Sequence, residues 1–171
     1  QPFGTPAYMQ TFRFLSRTDQ PLPVGFAVDD NDDSELTFSK LRWYEGQGSK
    51  EQWVGLNCSA CHTGQIEQEG KEPLRIEGAP GLVDFQMFTD ALDAAMIATR
   101  DDPAKWDRFA KAVLAGRDTP ANRALLKTEY GKHLDWQMKA AALDRTSIRY
   151  GYGRLDAVGR IYNKVALFAK P

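Results

Sequence analysis

Three of the four cysteine and histidine residues in this 171-residue chain fall in one pentapeptide, Cys58-Ser59-Ala60-Cys61-His62. Two thiols three positions apart share one side of a helical turn, where both can add to the vinyl groups of a single porphyrin. The residue that follows is then placed to ligate the iron. This is the C-x-x-C-H spacing of c-type haem attachment, with Cys58 and Cys61 as thioether residues and His62 as the proximal iron ligand. With two cysteines and two histidines in the chain, the pattern arises by chance on the order of once in ten thousand.

Other chemistries fit the same residues less well. A thioredoxin-type dithiol needs a βαβ context and a helix N-terminus, and neither is read here. A structural zinc needs four ligands, and the chain offers only Cys58, Cys61, His62 and His133, with adjacent Cys61 and His62 awkward for one tetrahedron. A Cys58–Cys61 disulfide would close too small a loop to stabilise much. The sixth position of the iron decides between electron transfer and oxygen or peroxide chemistry. Candidates for it are Met87, Met96, Met138 and His133, with Met9 a further methionine. None lies in a Met-Pro loop. For each methionine the plain alternative is core filling, and for His133 it is an ordinary helix histidine.

The elements that must position this motif follow from local patterns. Residues 1–33 carry Pro2, Pro6, Pro21 and Pro23 and the acidic cluster Asp29, Asp30, Asp32 and Asp33, which reads as an irregular arm. Its aromatics, Tyr8, Phe12, Phe14 and Phe26, must be covered by a core or by a neighbour. A short helix is expected over 34–44, with Ser34 as N-cap and Leu36, Lys40 and Trp43 on neighbouring turns. After the motif, 65–68 and 74–77 read as a small hairpin. Helical spacing then runs from Val83 to Arg100. Asp102-Pro103 and Thr119-Pro120 mark two further helix starts, the second helix running to Asp144. A last helix from Arg154 is expected to place Leu155, Val158, Ile161, Tyr162 and Val165 inward. Tyr150-Gly151-Tyr152-Gly153 reads as the turn before it.

Composition excludes several classes. Hydrophobic residues are 42% and charged residues 26%, close to globular averages, and the length suits one domain with a small extension. The 22 basic and 23 acidic residues leave a net charge of −1, which offers no footprint for a nucleic-acid backbone, so no nucleic-acid partner is expected. No apolar run approaches the roughly 20 residues of a membrane span, and none is expected. Gln1 is not followed by a signal-like segment, so the chain reads as already processed.

Several blocks together resemble a family. Pro23-Val24-Gly25-Phe26, Val54-Gly55-Leu56-Asn57-Cys58-Ser59-Ala60-Cys61-His62-Thr63-Gly64-Gln65-Ile66, Leu74-Arg75-Ile76-Glu77-Gly78-Ala79-Pro80 with Asp84-Phe85-Gln86, and Gly153-Arg154-Leu155-Asp156-Ala157-Val158-Gly159-Arg160-Ile161 are similar to the N-terminal haem region of bacterial dihaem cytochrome c peroxidase-like proteins. The branch is the one that includes the rubber (latex) oxygenases. The resemblance spans roughly residues 20 to 165. It implies a cytochrome c fold around each of two haems, one for oxygen or peroxide chemistry and one as a relay. It also implies that Pro80 supplies the carbonyl that orients His62. Arg75 is then a candidate partner for a haem propionate, with a surface arginine as the plain alternative. The second C-x-x-C-H of that family is not in this chain, so the chain is expected to be a fragment or a subunit of a larger dihaem protein.

These readings predict a mainly α fold: a cytochrome c-like helical domain (34–171) around one covalent haem c, with a small β-hairpin and an irregular N-terminal arm (1–33) wrapping the core. The expected function is a c-type haem redox module of a dihaem peroxidase or oxygenase, with an open or weak distal site. The alternative is a monohaem electron-transfer cytochrome with a methionine or histidine sixth ligand. A second haem domain or a redox protein would be the partner, in a periplasmic or secreted setting.

Overall fold

The computed structural model describes residues 4–35 and 41–169. Most of the helix expected over 34–44 lies at 36–40, outside the described residues. The chain divides into two compact units, each built from three separate stretches: residues 1–29, 52–90 and 147–156 form the first, and 30–51, 91–146 and 157–171 the second.

The first unit holds two antiparallel hairpins and the motif between them. Strand β1 (Phe26–Asp29) pairs with β2 (Trp53–Leu56), Phe26 opposite Leu56 and Asp29 opposite Trp53. Strand β3 (Thr63–Ile66) pairs with β4 (Leu74–Glu77), Thr63 opposite Glu77 and Ile66 opposite Leu74. Two-stranded ribbons are marginal by themselves and need a packed neighbour. That neighbour is an aromatic cluster. The turn after helix α1 (Pro6–Gln10) buries Phe12 and Phe14, and both meet Phe88 edge to face, at 5.6 and 5.1 Å between ring centroids. Phe26 joins from β1 at 5.1 Å from Phe14. Such edge-on pairs add to the area they bury. The aromatics of the N-terminal stretch are therefore the core of this unit, not a surface awaiting a neighbour.

Helix α2 (Phe85–Asp101) begins in the first unit, where the Asp84 carboxylate accepts the Met87 N–H (2.8 Å) and so caps its start. The second unit is helical. Helix α3 (Pro103–Leu114) is capped by Asp102, which accepts from the N–H groups of Ala104 and Lys105, and α4 (Pro120–Leu143) by Thr119, which accepts from Asn122. Proline at the first position of each has the right φ and no N–H to waste. Tyr44, Ala110, Leu114 and Leu126 form the core of this unit, with Trp43, Trp106, Phe109 and Val113 packed on it. Helix α5 (Ala157–Ala169) lies along α4 and buries none of its residues.

The single cytochrome c-like helical domain around a haem is not what the chain forms. The motif sits among hairpins in one unit, α3 to α5 belong to the other, and a second hairpin, β1–β2, is present. Among the described residues, no three histidine, cysteine, aspartate or glutamate side chains gather as a metal-binding group. The physical reason lies in Gly25 and the strands that flank the motif: the chain enters the pentapeptide from one ribbon and leaves into another, so no long helix carries it. The last helix also departs from expectation, with Val158, Ile161, Tyr162 and Val165 facing out.

Candidate functional site

The motif forms a single helical turn held from three sides. Cys58–Ala60 is a 3₁₀ turn; the Asn57 side chain caps it by accepting from the Ser59 N–H, and the Cys58 carbonyl accepts from the N–H groups of Cys61 (3.2 Å) and His62 (2.9 Å). The two cysteines are thus one turn apart, as thioether attachment requires.

Beneath the turn lies Gly25. Its φ of +82° is open chiefly to glycine, and a Cβ there would stand 2.0 Å from the Ala60 nitrogen. The Asn57 N–H donates to the Gly25 carbonyl (2.9 Å), extending the β1–β2 ladder into the motif. Behind the turn, the Gly78 N–H donates to the His62 carbonyl and the Gly81 N–H to the Cys61 carbonyl, both at 2.8 Å. Residues 78–81 therefore lie against the motif backbone, with Pro80 between the two bonds. Gly81 is required for this approach, since a Cβ would meet the carbonyl oxygens of Cys61 and Thr63 at 3.0 and 3.1 Å.

The reactive groups face outward. Cys58 is exposed, Cys61 is half-buried, and neither is in a disulfide. Burial, with Cys58 next to it, pushes the Cys61 thiol above its usual pKa. A dithiol built for exchange is tuned the other way, toward thiolate. The exposed His62 imidazole makes no hydrogen bond among the described residues. Alongside runs a groove of about 540 Å³ whose walls include Leu15, Thr63, Ile66, Ile76, Pro80 and Leu82. Ile66, Ile76 and Leu82 are exposed, as are Leu56 and Leu74 in the same unit. The Thr63 hydroxyl is buried in the groove wall without a partner among the described residues.

The remaining expected site residues are placed as follows. Arg75, on β4, donates to the Gln65 side chain (2.9 Å) and to the Ser16 carbonyl, which ties the hairpin to the N-terminal stretch. Met87 is exposed on the first turn of α2, in the same unit as the motif. Met96, Met138 and His133 belong to the second unit. There His133 stacks on Trp136 (6.1 Å) and borders a cavity of about 250 Å³ among Trp43, Phe109, Leu126 and Tyr130, and partial burial holds its pKa below the usual value. The orphaned Thr63 hydroxyl and the backing by Gly25 and Gly81 were missed by sequence reasoning. The glycines spaced around the motif are the signal that could have found the backing; no local signal marks the Thr63 hydroxyl.

No family model matches the chain, and no solved structure matches it. No helix is long and apolar enough to cross a membrane among the described residues. Over 171 aligned residues the chain is 36% identical to the uncharacterized protein y4iJ of Sinorhizobium fredii (strain NBRC 101917 / NGR234), a match covering 96% of this chain. It is similar, then, to one part of a longer protein: the chain spans 28% of that relative's length.

Proposed function

We propose that Cys58 and Cys61 hold one covalent haem c, that His62 is its proximal iron ligand, and that the chain is a redox module of a larger protein of the dihaem peroxidase or oxygenase kind. The observation that carries the reading is the state of the pentapeptide: one exposed and one half-buried free thiol on a single turn, followed by an exposed imidazole with no hydrogen bond among the described residues. The exposed apolar side chains of the same unit suit a flat apolar macrocycle, which would remove them from water. Covalent haem supplies a redox-active iron, for electron transfer or for reaction with oxygen or peroxide.

The chain's own residues would divide the work. Cys58 and Cys61 anchor through thioethers, and the His62 imidazole ligates. Pro80, fixed behind His62 by the flanking Gly78 and Gly81 bonds, is the residue whose carbonyl would take the other ring N–H and set the imidazole's orientation. Arg75 has Nη1 left over from its bonds to Gln65 and Ser16 for a propionate. Attachment of this kind belongs to an oxidising, periplasm-like compartment, and a second haem domain or a redox protein would be the partner. One observation favours a monohaem electron-transfer reading: Met87, in the motif's own unit, is 39% exposed and so accessible as a sixth ligand.

The test is expression alongside a haem-attachment system, followed by intact mass and a pyridine haemochrome spectrum. One haem per chain is expected, with attachment through a single thioether in Cys58→Ala or Cys61→Ala and none in the double variant. A folded protein with the mass of the bare polypeptide would refute the assignment. Carbon monoxide binding by the reduced protein separates the two readings: binding supports an open distal site, and its absence, relieved by Met87→Ala, supports the second.

A further inference from the structure

We infer that the outward face of α5 is an interface for the rest of a longer polypeptide, and that the surface it meets there is apolar. A helix at a protein surface ordinarily turns its apolar stripe inward. Helix α5 does so only near its end, where Phe168 meets Trp136 of α4 at 5.7 Å between ring centroids; over its first two turns it does the reverse. Toward α4 it presents Arg160 and Asn163, which donate to the Asp144 carboxylate at 3.3 and 2.8 Å, and Asn163 also donates to the Leu143 carbonyl. The Arg160 and Asp144 side chains are only 14% and 7% exposed. On the opposite face, Val158, Ile161, Tyr162 and Val165 follow the i, i+3, i+4, i+7 spacing of one helical stripe and are 57–69% exposed.

The helix cannot correct this by rolling. Bringing the stripe against α4 would carry Arg160 away from Asp144 and strand a buried carboxylate, a costly exchange. The stripe is therefore held outward, and a contiguous exposed apolar patch of this kind marks a contact surface. A second copy of the chain is a poor occupant. Thirteen residues of helix present a face about 20 Å long and about 10 Å wide, far short of the roughly 800 Å² per partner that a stable interface between separate molecules buries. A surface tethered in the same polypeptide needs much less area, because linkage supplies a high effective concentration. The relative has the length for such a tethered surface: it matches 96% of this chain with only 28% of its own length. The inference rests on the larger-protein part of the reading above and not on the haem.

The test compares the 171-residue chain with a polypeptide that joins it to the remainder of the longer protein, using hydroxyl-radical labelling of Tyr162, sedimentation and thermal unfolding. The short chain should be monomeric, with Tyr162 freely labelled and its Tm unmoved by the double variant Ile161→Lys/Val165→Glu. In the longer polypeptide Tyr162 labelling should fall severalfold, and the same variant should restore it and lower the Tm. Equal labelling in both proteins, protection of Tyr162 in the monomeric short chain, or a dimer that the variant dissolves would each overturn the inference. Haem content of the same samples reads the functional proposal separately. Normal haem with unchanged Tyr162 labelling sinks the interface alone, and protected Tyr162 without haem sinks the haem alone.

Discussion

Gly25 shows how one residue without a side chain governs a site it does not belong to. Its φ of +82° and the 2.0 Å approach a Cβ would make to Ala60 mean that Gly25→Ala must displace the whole 3₁₀ turn. A destabilisation of about 3 kcal/mol is expected, read as a lower urea midpoint at unchanged slope, together with loss of the haem attachment proposed above. His133 offers a second test. Partial burial lowers its pKa below 6.5, so the folded protein resists protonation more than the unfolded chain does. The stability this represents is complete above pH 6.5 and is lost as pH falls through the lowered value. His133→Gln should therefore flatten the loss of stability expected in denaturant titrations as pH falls below the unfolded histidine's ordinary range. At this scale the pentapeptide was plain in the sequence, because residue type and spacing are themselves the chemistry. The backbone support was not, since which carbonyl Gly78 or Gly81 would reach depends on the packing of segments far apart in the chain.

Helices α2, α3 and α4 lie close to where apolar spacing and the Asp102-Pro103 and Thr119-Pro120 starts place them, because caps and 3.6-residue periodicity are local quantities. Asp102 accepts two backbone N–H groups at 2.9 and 3.1 Å, and those bonds hold its carboxyl below the usual range. Asp102→Ala should lower the midpoint of chemical denaturation, and Asp102→Asn should lower it distinctly less. The β1–β2 hairpin left no such local trace. Its strands are four residues each and stand more than twenty residues apart, so their pairing is decided by Gly25 and the Phe14–Phe26–Phe88 cluster and not by a turn signal. For α5 the periodicity was correct and the inference of which side faces in was wrong. Hydrophobic spacing identifies a stripe; the buried Arg160–Asp144 pair decides where it points.

At the scale of the molecule, composition described an ordinary, nearly neutral globular chain, but it carried no information on how the chain divides. Each unit is assembled from three stretches, so sequence neighbours such as Asp29 and Asp30 belong to different units. Removing residues 1–16 takes away Met9, Phe12 and Phe14, three of the largest fully buried side chains. The expected result is a protein whose far-UV helical signal largely persists while Trp53 fluorescence and thiol accessibility report an unfolded motif region. The same threading sets a clock. A chain emerges N-terminus first, at about 5–20 residues per second during synthesis, so the stretch 147–156 follows Cys58–His62 by on the order of ten seconds. Until Gly153 arrives to donate to the Val83 carbonyl (3.1 Å), the motif's unit lacks the last of its three stretches, so the part of the fold that holds the earliest residues is also completed late, after the bulk of the other unit has been made.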